Sequence, residues 1–235
     1  MKKTLYTIAF IVCAAFSCQG ATLWTTTFGN ANQADGTQVT LLNEGIVNGV
    51  AGSVTSLKKN PYNGSPELDC PLINNGAIGS NPSLFTPWYN VQTTGSWTAG
   101  MSFTNGSDQS FSVSSVSFTV LSFAVANNNA IAHTRERTFA LTLTIGGKSY
   151  DATVTIAAGG ENSVTFNLDG PLLVNAGNQF SYEIRGGRTE EEQTGGFLGI
   201  KDIAFNGELL VPEPATASLS LFGLAVLGMV RRRRD

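Results

Sequence analysis

Phe139, Leu141, Leu143 and Ile145 alternate with small or polar residues, Gly146-Gly147 follows, and the alternation resumes through Tyr150, Ala152, Val154 and Ile156. A period of two is a strand signal. Two glycines between the runs supply the positive φ at both central positions of a type I′ turn. A two-residue turn there sets Leu143 opposite Tyr150, Leu141 opposite Ala152 and Phe139 opposite Val154, so both apolar rows share one face. Between Ala21 and Val211 no stretch keeps apolar residues at i, i+3, i+4 and i+7, which excludes amphipathic helices as the building unit.

Further strands are predicted over Val39–Leu42, Met101–Phe103, Phe111–Val125, Val164–Leu168, Phe180–Ile184 and Phe197–Phe205. In Phe111–Val125 the apolar phase switches twice. Each switch predicts a bulge, one near Ser114-Ser115 and one near Val120-Leu121. Eight to ten such strands, in a chain 42% hydrophobic and 13% charged, predict an all-β fold: an antiparallel β-sandwich, jelly-roll-like, since an open sheet this apolar would leave one face unburied. No internal repeat of fixed period is visible, which disfavours solenoids and propellers.

The two ends differ from this body. Lys2 and Lys3 precede an apolar run from Leu5 to Phe16, and Ser17, Cys18 and Gly20 are small. Residues 1–20 therefore read as a signal peptide with a short helix, and residues 21–211 as the sandwich domain. Residues 212–235 begin Pro212-Glu213-Pro214, continue through 16 uncharged residues (215–230) and end on Arg231, Arg232, Arg233, Arg234 and Asp235. A helix over 215–230 is about 24 Å long against a ~30 Å hydrocarbon core, so it spans a membrane marginally, its arginines on the cytoplasmic side. With both ends set aside, 8 basic and 15 acidic side chains remain, a net charge of about −7. Phosphate backbones would be repelled, which excludes nucleic acid as a partner.

This tripartite tail resembles the PEP-CTERM sorting signal of Gram-negative bacteria. The resemblance covers about two dozen residues and implies export, transient retention in the inner membrane, and processing near Pro212-Glu213-Pro214 by an exosortase-type enzyme. It also implies a final place at the cell surface or in the extracellular matrix, where such proteins are commonly associated with exopolysaccharide. An ordinary single-span anchor is the alternative.

The body offers few chemical motifs. Cys70 stands alone once the signal peptide is gone, His133 is the single histidine, and no metal or cofactor motif is present. With Arg135, Glu136 and Arg137 beside it, His133 reads as part of a polar loop leading into a strand. Five prolines between Asn60 and Asn90 predict a long irregular loop, and Arg185–Gly196, carrying Glu190-Glu191-Glu192, predicts a solvated hairpin tip. Trp88 and Tyr89 in the first loop and Trp97 just after it are a candidate carbohydrate platform, because aromatic faces stack on sugars while Asn90, Gln92 and Thr93 take hydroxyls. Core or loop-anchor roles for the tryptophans are the competing assignment. Two functional readings follow: a non-enzymatic surface or matrix protein that binds carbohydrate, or a secreted polysaccharide-active enzyme, which would need paired carboxylates.

Overall fold

The computed structural model describes residues 20–28, 41–60, 68–69, 72–74, 85–87, 96–126, 129–189 and 197–210. Residues 1–19 of the expected signal peptide, the C-terminal residues 211–235, Trp88 and Tyr89 lie outside the described residues. Among the described residues every regular element is a strand. In chain order they are β1 (Ala21–Phe28), β2 (Leu41–Gly45), β3 (Val50–Asn60), β4 (Leu68–Asp69), β5 (Leu72–Asn74), β6 (Phe85–Pro87) and β7 (Ser96–Asn105). Then follow β8 (Ser110–Ala126), β9 (Asn129–Ala132), β10 (Arg137–Ile145), β11 (Lys148–Ile156), β12 (Glu161–Val174), β13 (Gln179–Arg188) and β14 (Phe197–Leu210).

These strands build two antiparallel sheets. The first runs β12-β8-β14-β1-β2, with β9 on β8 and the β5-β6 pair on β14; the second runs β11-β10-β13-β7-β3-β4. The inward rows of the two sheets meet in one core. Its centre is aromatic: Trp24 of β1 stacks on Phe205 of β14 with centroids 4.3 Å apart and planes at 13°. Phe111 of β8 meets the Trp24 ring edge-on at 5.2 Å. From the other sheet, Phe103 and Phe180 approach Trp24 at 6.2 and 6.0 Å, and Tyr182 meets Phe205 at 5.3 Å. Such ring pairs add about 0.5–1.5 kcal/mol each beyond area burial.

The β10-β11 hairpin has the register that its alternation requires. Leu143 pairs with Tyr150, Leu141 with Ala152 and Phe139 with Val154. Gly146 and Gly147 have φ of 59° and 76°, as a type I′ turn demands. Phe139, Leu141, Leu143 and Ile145 are buried, and the intervening positions face away from the core. There the side chains pair across the strands: Thr138 with Thr155 at 3.0 Å, Thr142 donating to Asp151 at 2.6 Å, and Thr144 with Ser149 at 2.9 Å.

One expected bulge is present and the other is displaced. Both neighbours of β8 skip Ser114, since Asn206 and Gly207 pair with Ser115 and Val113, and Asn167 and Leu172 do likewise. Through Val120-Leu121, by contrast, β8 pairs with β12 without a break. The extra residue is Asp202 on the opposite strand, between Lys201↔Thr119 and Ile203↔Phe118. The apolar phase of β8 changes because Leu121, Ser122 and Phe123 are all buried: this end of the strand is covered on both faces and needs no bulge.

Two segments are more regular than expected. The stretch from Asn60 to Asn90 contains β4, β5 and β6, and Arg185–Arg188 continue β13 rather than opening a loop. Gly186 explains the second case. A Cβ there would meet the Trp97 ring at 2.7 Å and Leu198 at 2.8 Å, so a glycine lets Trp97 lie against the strand backbone. His133 is buried, and its Nδ1 accepts the Arg135 backbone N–H at 3.1 Å, which makes it the brace of the turn leading into β10.

The hairpin assignment is checked by two neighbouring substitutions. Leu141→Asp buries an unpaired carboxylate and is expected to cost several kcal/mol. Thr142→Lys faces Asp151 on the outward surface and is expected to change stability by about 0.5 kcal/mol or less. Equal thermal shifts for the two purified variants would overturn the face assignment.

Candidate functional site

The outward face of the second sheet is set by the same alternation that fills the core. On β7 the side chains of Trp97, Ala99, Met101 and Phe103 enter the core, which turns Thr98, Gly100, Ser102 and Thr104 outward. Registers across the sheet align these with polar positions on neighbouring strands. Ser56, Gly100, Glu183, Thr144 and Ser149 form one row; Thr98, Arg185, Thr142 and Asp151 form the next; Ser53, Ser102 and Ser181 form a third. Thr98 is 9% and Ser102 8% exposed. The middle of this face is therefore sunken between its neighbours.

A pocket of about 260 Å³ opens on this face, near the ~300 Å³ at which ligand cavities begin. Gly100 and Ser181 line its middle, Thr55 and Ser56 one side, and Thr144 with Gly146-Gly147 the other. Glu183 supplies a carboxylate. Two backbone features shape it. A bulge between Val54 and Ser56 brings both the Thr55 and Ser56 hydroxyls over Gly100, where a Cβ would meet the Ser56 Oγ at 2.5 Å and the Thr55 Oγ1 at 2.9 Å. The type I′ turn forms the rim. Tyr182 and Ile145 also border the pocket, but their side chains are buried. The Tyr182 hydroxyl donates to the Met101 sulfur at 3.0 Å, and burial holds its pKa well above the ordinary 10.0. At the edge of the same face, Arg185 donates to the Ser96 Oγ at 3.3 Å.

Four hydroxyls, one carboxylate and an absent side chain in the middle form a surface of donors and acceptors with little charge. It can match a polyol, each hydroxyl of which both donates and accepts. Among the described residues no group of three or more His, Cys, Asp or Glu is placed to hold a metal ion. The candidate aromatic platform is only partly described. Trp97 is 5% exposed and belongs to the buried core, lying with Leu198 against Gly186. Sequence reasoning passed over the polar face, although Thr and Ser at alternate positions of β7, β10 and β13 carry its signal.

A second ionisable cluster lies on the first sheet. Lys201 is 8% exposed and ion-paired with Glu161. The bulged Asp202 has φ 53°, a left-handed conformation that Asp and Asn tolerate better than most residues. Burial raises its pKa from the ordinary 3.8; Lys201 lowers it and Glu161 raises it further. The Lys201–Glu161 pair compensates charge where the sheet shifts register, and this cluster is a structural joint.

Residues 210–234 match the family model of the PEP-CTERM protein-sorting motif, so the tail carries that motif, with Pro212, Glu213, Pro214 and the Arg231–Arg234 cluster inside the match. The motif indicates export and exosortase-dependent surface sorting. No curated protein matches the chain. Among solved structures, the chain is similar to TmCBM61 in complex with β-1,4-galactotriose, at 12% identity and TM-score 0.34, over 69% of this chain and 90% of that one. It is also similar to a family 35 carbohydrate-binding module from Clostridium thermocellum, at 10% identity and TM-score 0.27, covering 66% and 90%. A family 11 carbohydrate-binding module from the same organism, in complex with a β-1,3-1,4-mixed-linked tetrasaccharide, matches at 10% identity and TM-score 0.28, covering 80% and 98%. At such TM-scores no shared site is inferred, and the all-β, two-sheet architecture stands on the strand pairing itself.

The Asp202 carboxyl has a pH signature. A carboxyl with a raised native pKa binds more protons folded than unfolded, so stability falls as pH rises from 3.8 through the native value and stays lower above it. Asp202→Asn is expected to raise the melting temperature at pH 7, with the gain shrinking to nothing below pH 3.8. A gain independent of pH would refute the assignment.

Proposed function

We propose that the body is a non-enzymatic polysaccharide-binding β-sandwich sorted to the cell surface or extracellular matrix. Residues 1–20 direct export, the helix over residues 215–230 holds the chain transiently in the inner membrane, and an exosortase-type enzyme processes it near Pro212-Glu213-Pro214. The observation that carries the binding reading is the hydroxyl-lined pocket at Gly100 on an otherwise low-charge polar face. Among the described residues its lining includes a single carboxylate, Glu183, whereas glycoside hydrolysis ordinarily needs two flanking the scissile bond; this favours binding over the alternative of a polysaccharide-active enzyme. Trp88 and Tyr89 supply ring faces for stacking, with Trp97 anchoring the strand that follows them.

The strand order supports a jelly roll. Followed in chain order through the rows β1-β14-β8-β12 and β11-β10-β13-β7, the chain changes sheet at β1-β7, β7-β8, β8-β10, β11-β12, β12-β13 and β13-β14, the layout of two nested Greek keys.

Binding is tested with the body and a panel of neutral and acidic polysaccharides. Affinity is expected in the micromolar to millimolar range, with Ser181→Ala and Glu183→Gln each weakening it about tenfold, the loss typical of a hydrogen bond to a charged group or its partner. Both positions are exposed, so the melting temperature should hold. Loss on Trp88→Ala but not on the pocket variants would move the site to the aromatic loop, and no binding to any polysaccharide at millimolar concentration would remove the reading. Sorting is tested separately by deleting residues 219–235, which should release soluble body. Mature surface protein that still carries Arg231–Arg234 in cells with the processing enzyme would identify a plain anchor.

A further inference from the structure

Both ends of the body leave it at one place. Ala21 pairs with Gly207 near the end of β14, and Leu210 pairs with Ser110 at the start of β8. Turns close this end of the sandwich, and Asn105 ties them: its side-chain amide donates to Gln109 O at 2.8 Å and its backbone N–H to Asn178 O at 2.9 Å. Gly106 N–H donates to Gly49 O at 3.0 Å, which adds the 46–49 turn. Three of the four large hydrophobic residues exposed among the described residues stand here: Ile46 at 52%, Leu173 at 57% and Leu210 at 38%. Val47 N–H bonds to Leu23 O, which brings Ile46 to the start of β1. Leu173 pairs with Ser112, as Glu208 does from the other side of β8. The fourth residue, Leu42, lies further along β2 opposite Thr27.

Chain length then fixes where this end can go. From Leu210 to Ala215 there are five peptide steps, a reach of at most about 18 Å, and the polar headgroup layer on one side of a bilayer takes roughly 5–8 Å of it. A body whose strand β14 has 14 residues, about 43 Å of strand, has no freedom to float clear of the surface on such a tether. We propose that, while the tail is inserted, the sandwich stands end-on on the bilayer with Ile46, Leu173 and Leu210 in the outer headgroup layer. The proposal rests on the reading that residues 215–230 insert. Its occupant is the lipid interface, contacted through apolar side chains: the exposed charges at this end are Asp108, Asp169, Glu208 and Lys148, the lysine ion-paired with Asp169 at 3.5 Å, so the end is acidic on balance and attraction to anionic headgroups plays no part. The turn at 157–160 and the strand ends Asn60 and Ser96 then point away from the membrane.

The test uses the chain exported by a host without the processing enzyme and purified with its tail. In a background free of native cysteine, Ile46→Cys, Leu173→Cys and Ala158→Cys each carry an environment-sensitive fluorophore. The protein is reconstituted into phosphatidylcholine vesicles containing a lipid with a headgroup nitroxide. Labels at 46 and 173 are expected to be quenched several-fold more than the label at 158, on the far turn. Co-flotation with the vesicles but equal or negligible quenching overturns the end-on arrangement alone. Failure to float overturns the insertion reading and the arrangement with it.

Discussion

The contact on which the structure depends is the aromatic cluster around Trp24. Trp24, Phe111 and Phe205 belong to the first sheet, Phe103, Phe180 and Tyr182 to the second, and their rings meet within 4.3 to 6.2 Å. A sheet buries one face only if another layer covers it, and here the covering contacts are ring on ring. Five of the six side chains are at most 3% exposed, Phe180 being partly buried. The Trp24 Nε1 has no hydrogen-bond partner among the described residues, a desolvation cost of about 1–3 kcal/mol that the surrounding rings offset.

The same strands carry the candidate site. Alternation obliges each inward ring to have an outward neighbour, so Met101 and Phe103 in the core fix Gly100 and Ser102 on the surface, and Tyr182 and Ile184 fix Ser181 and Glu183. The pocket is thus held by backbone that the core immobilises rather than by loops. Its depth comes from irregularities superimposed on that regular frame: a missing side chain at Gly100, a bulge at Thr55 and a tight turn at Gly146-Gly147.

What could be read in the sequence follows the strength of the periodic signal. The β10-β11 hairpin was legible to the residue, because two buried rows flank a turn that only glycine suits. The Ser114 bulge was legible because a phase change inside one long strand has a single simple cause. The bulge assigned to Val120-Leu121 was not, since full burial of three consecutive residues mimics a phase change, and the extra residue sits on the partner strand. Strands β1 and β3 were passed over for a compositional reason: Thr25-Thr26-Thr27 and Ser53-Val54-Thr55-Ser56 carry too few apolar residues to show a period. Thr26 is nevertheless fully buried, and it is satisfied by donating to Asn43 Oδ1 at 2.6 Å. The pocket was hidden for a related reason. Hydroxyl residues on an outward row look like ordinary strand polarity until registers across β3, β7, β13 and β10 bring them together.

Low charge ties the surface to the proposed ligand. Charged residues are 13% of the chain, and the outward faces of β10 and β11 pair hydroxyl with hydroxyl or carboxylate instead of lysine with glutamate. Electrostatic steering selects charged partners over long range but offers nothing against a neutral polymer of hydroxyl groups. Selection among such polymers has to come from the spacing of short-range donors and acceptors, and spacing is informative only when the groups cannot move. Short Ser and Thr side chains on paired strands have few rotamers to lose, unlike Lys or Arg at the same positions. On the proposed reading, the negative charge of the body serves solubility and recognition falls to the fixed hydroxyls around Gly100.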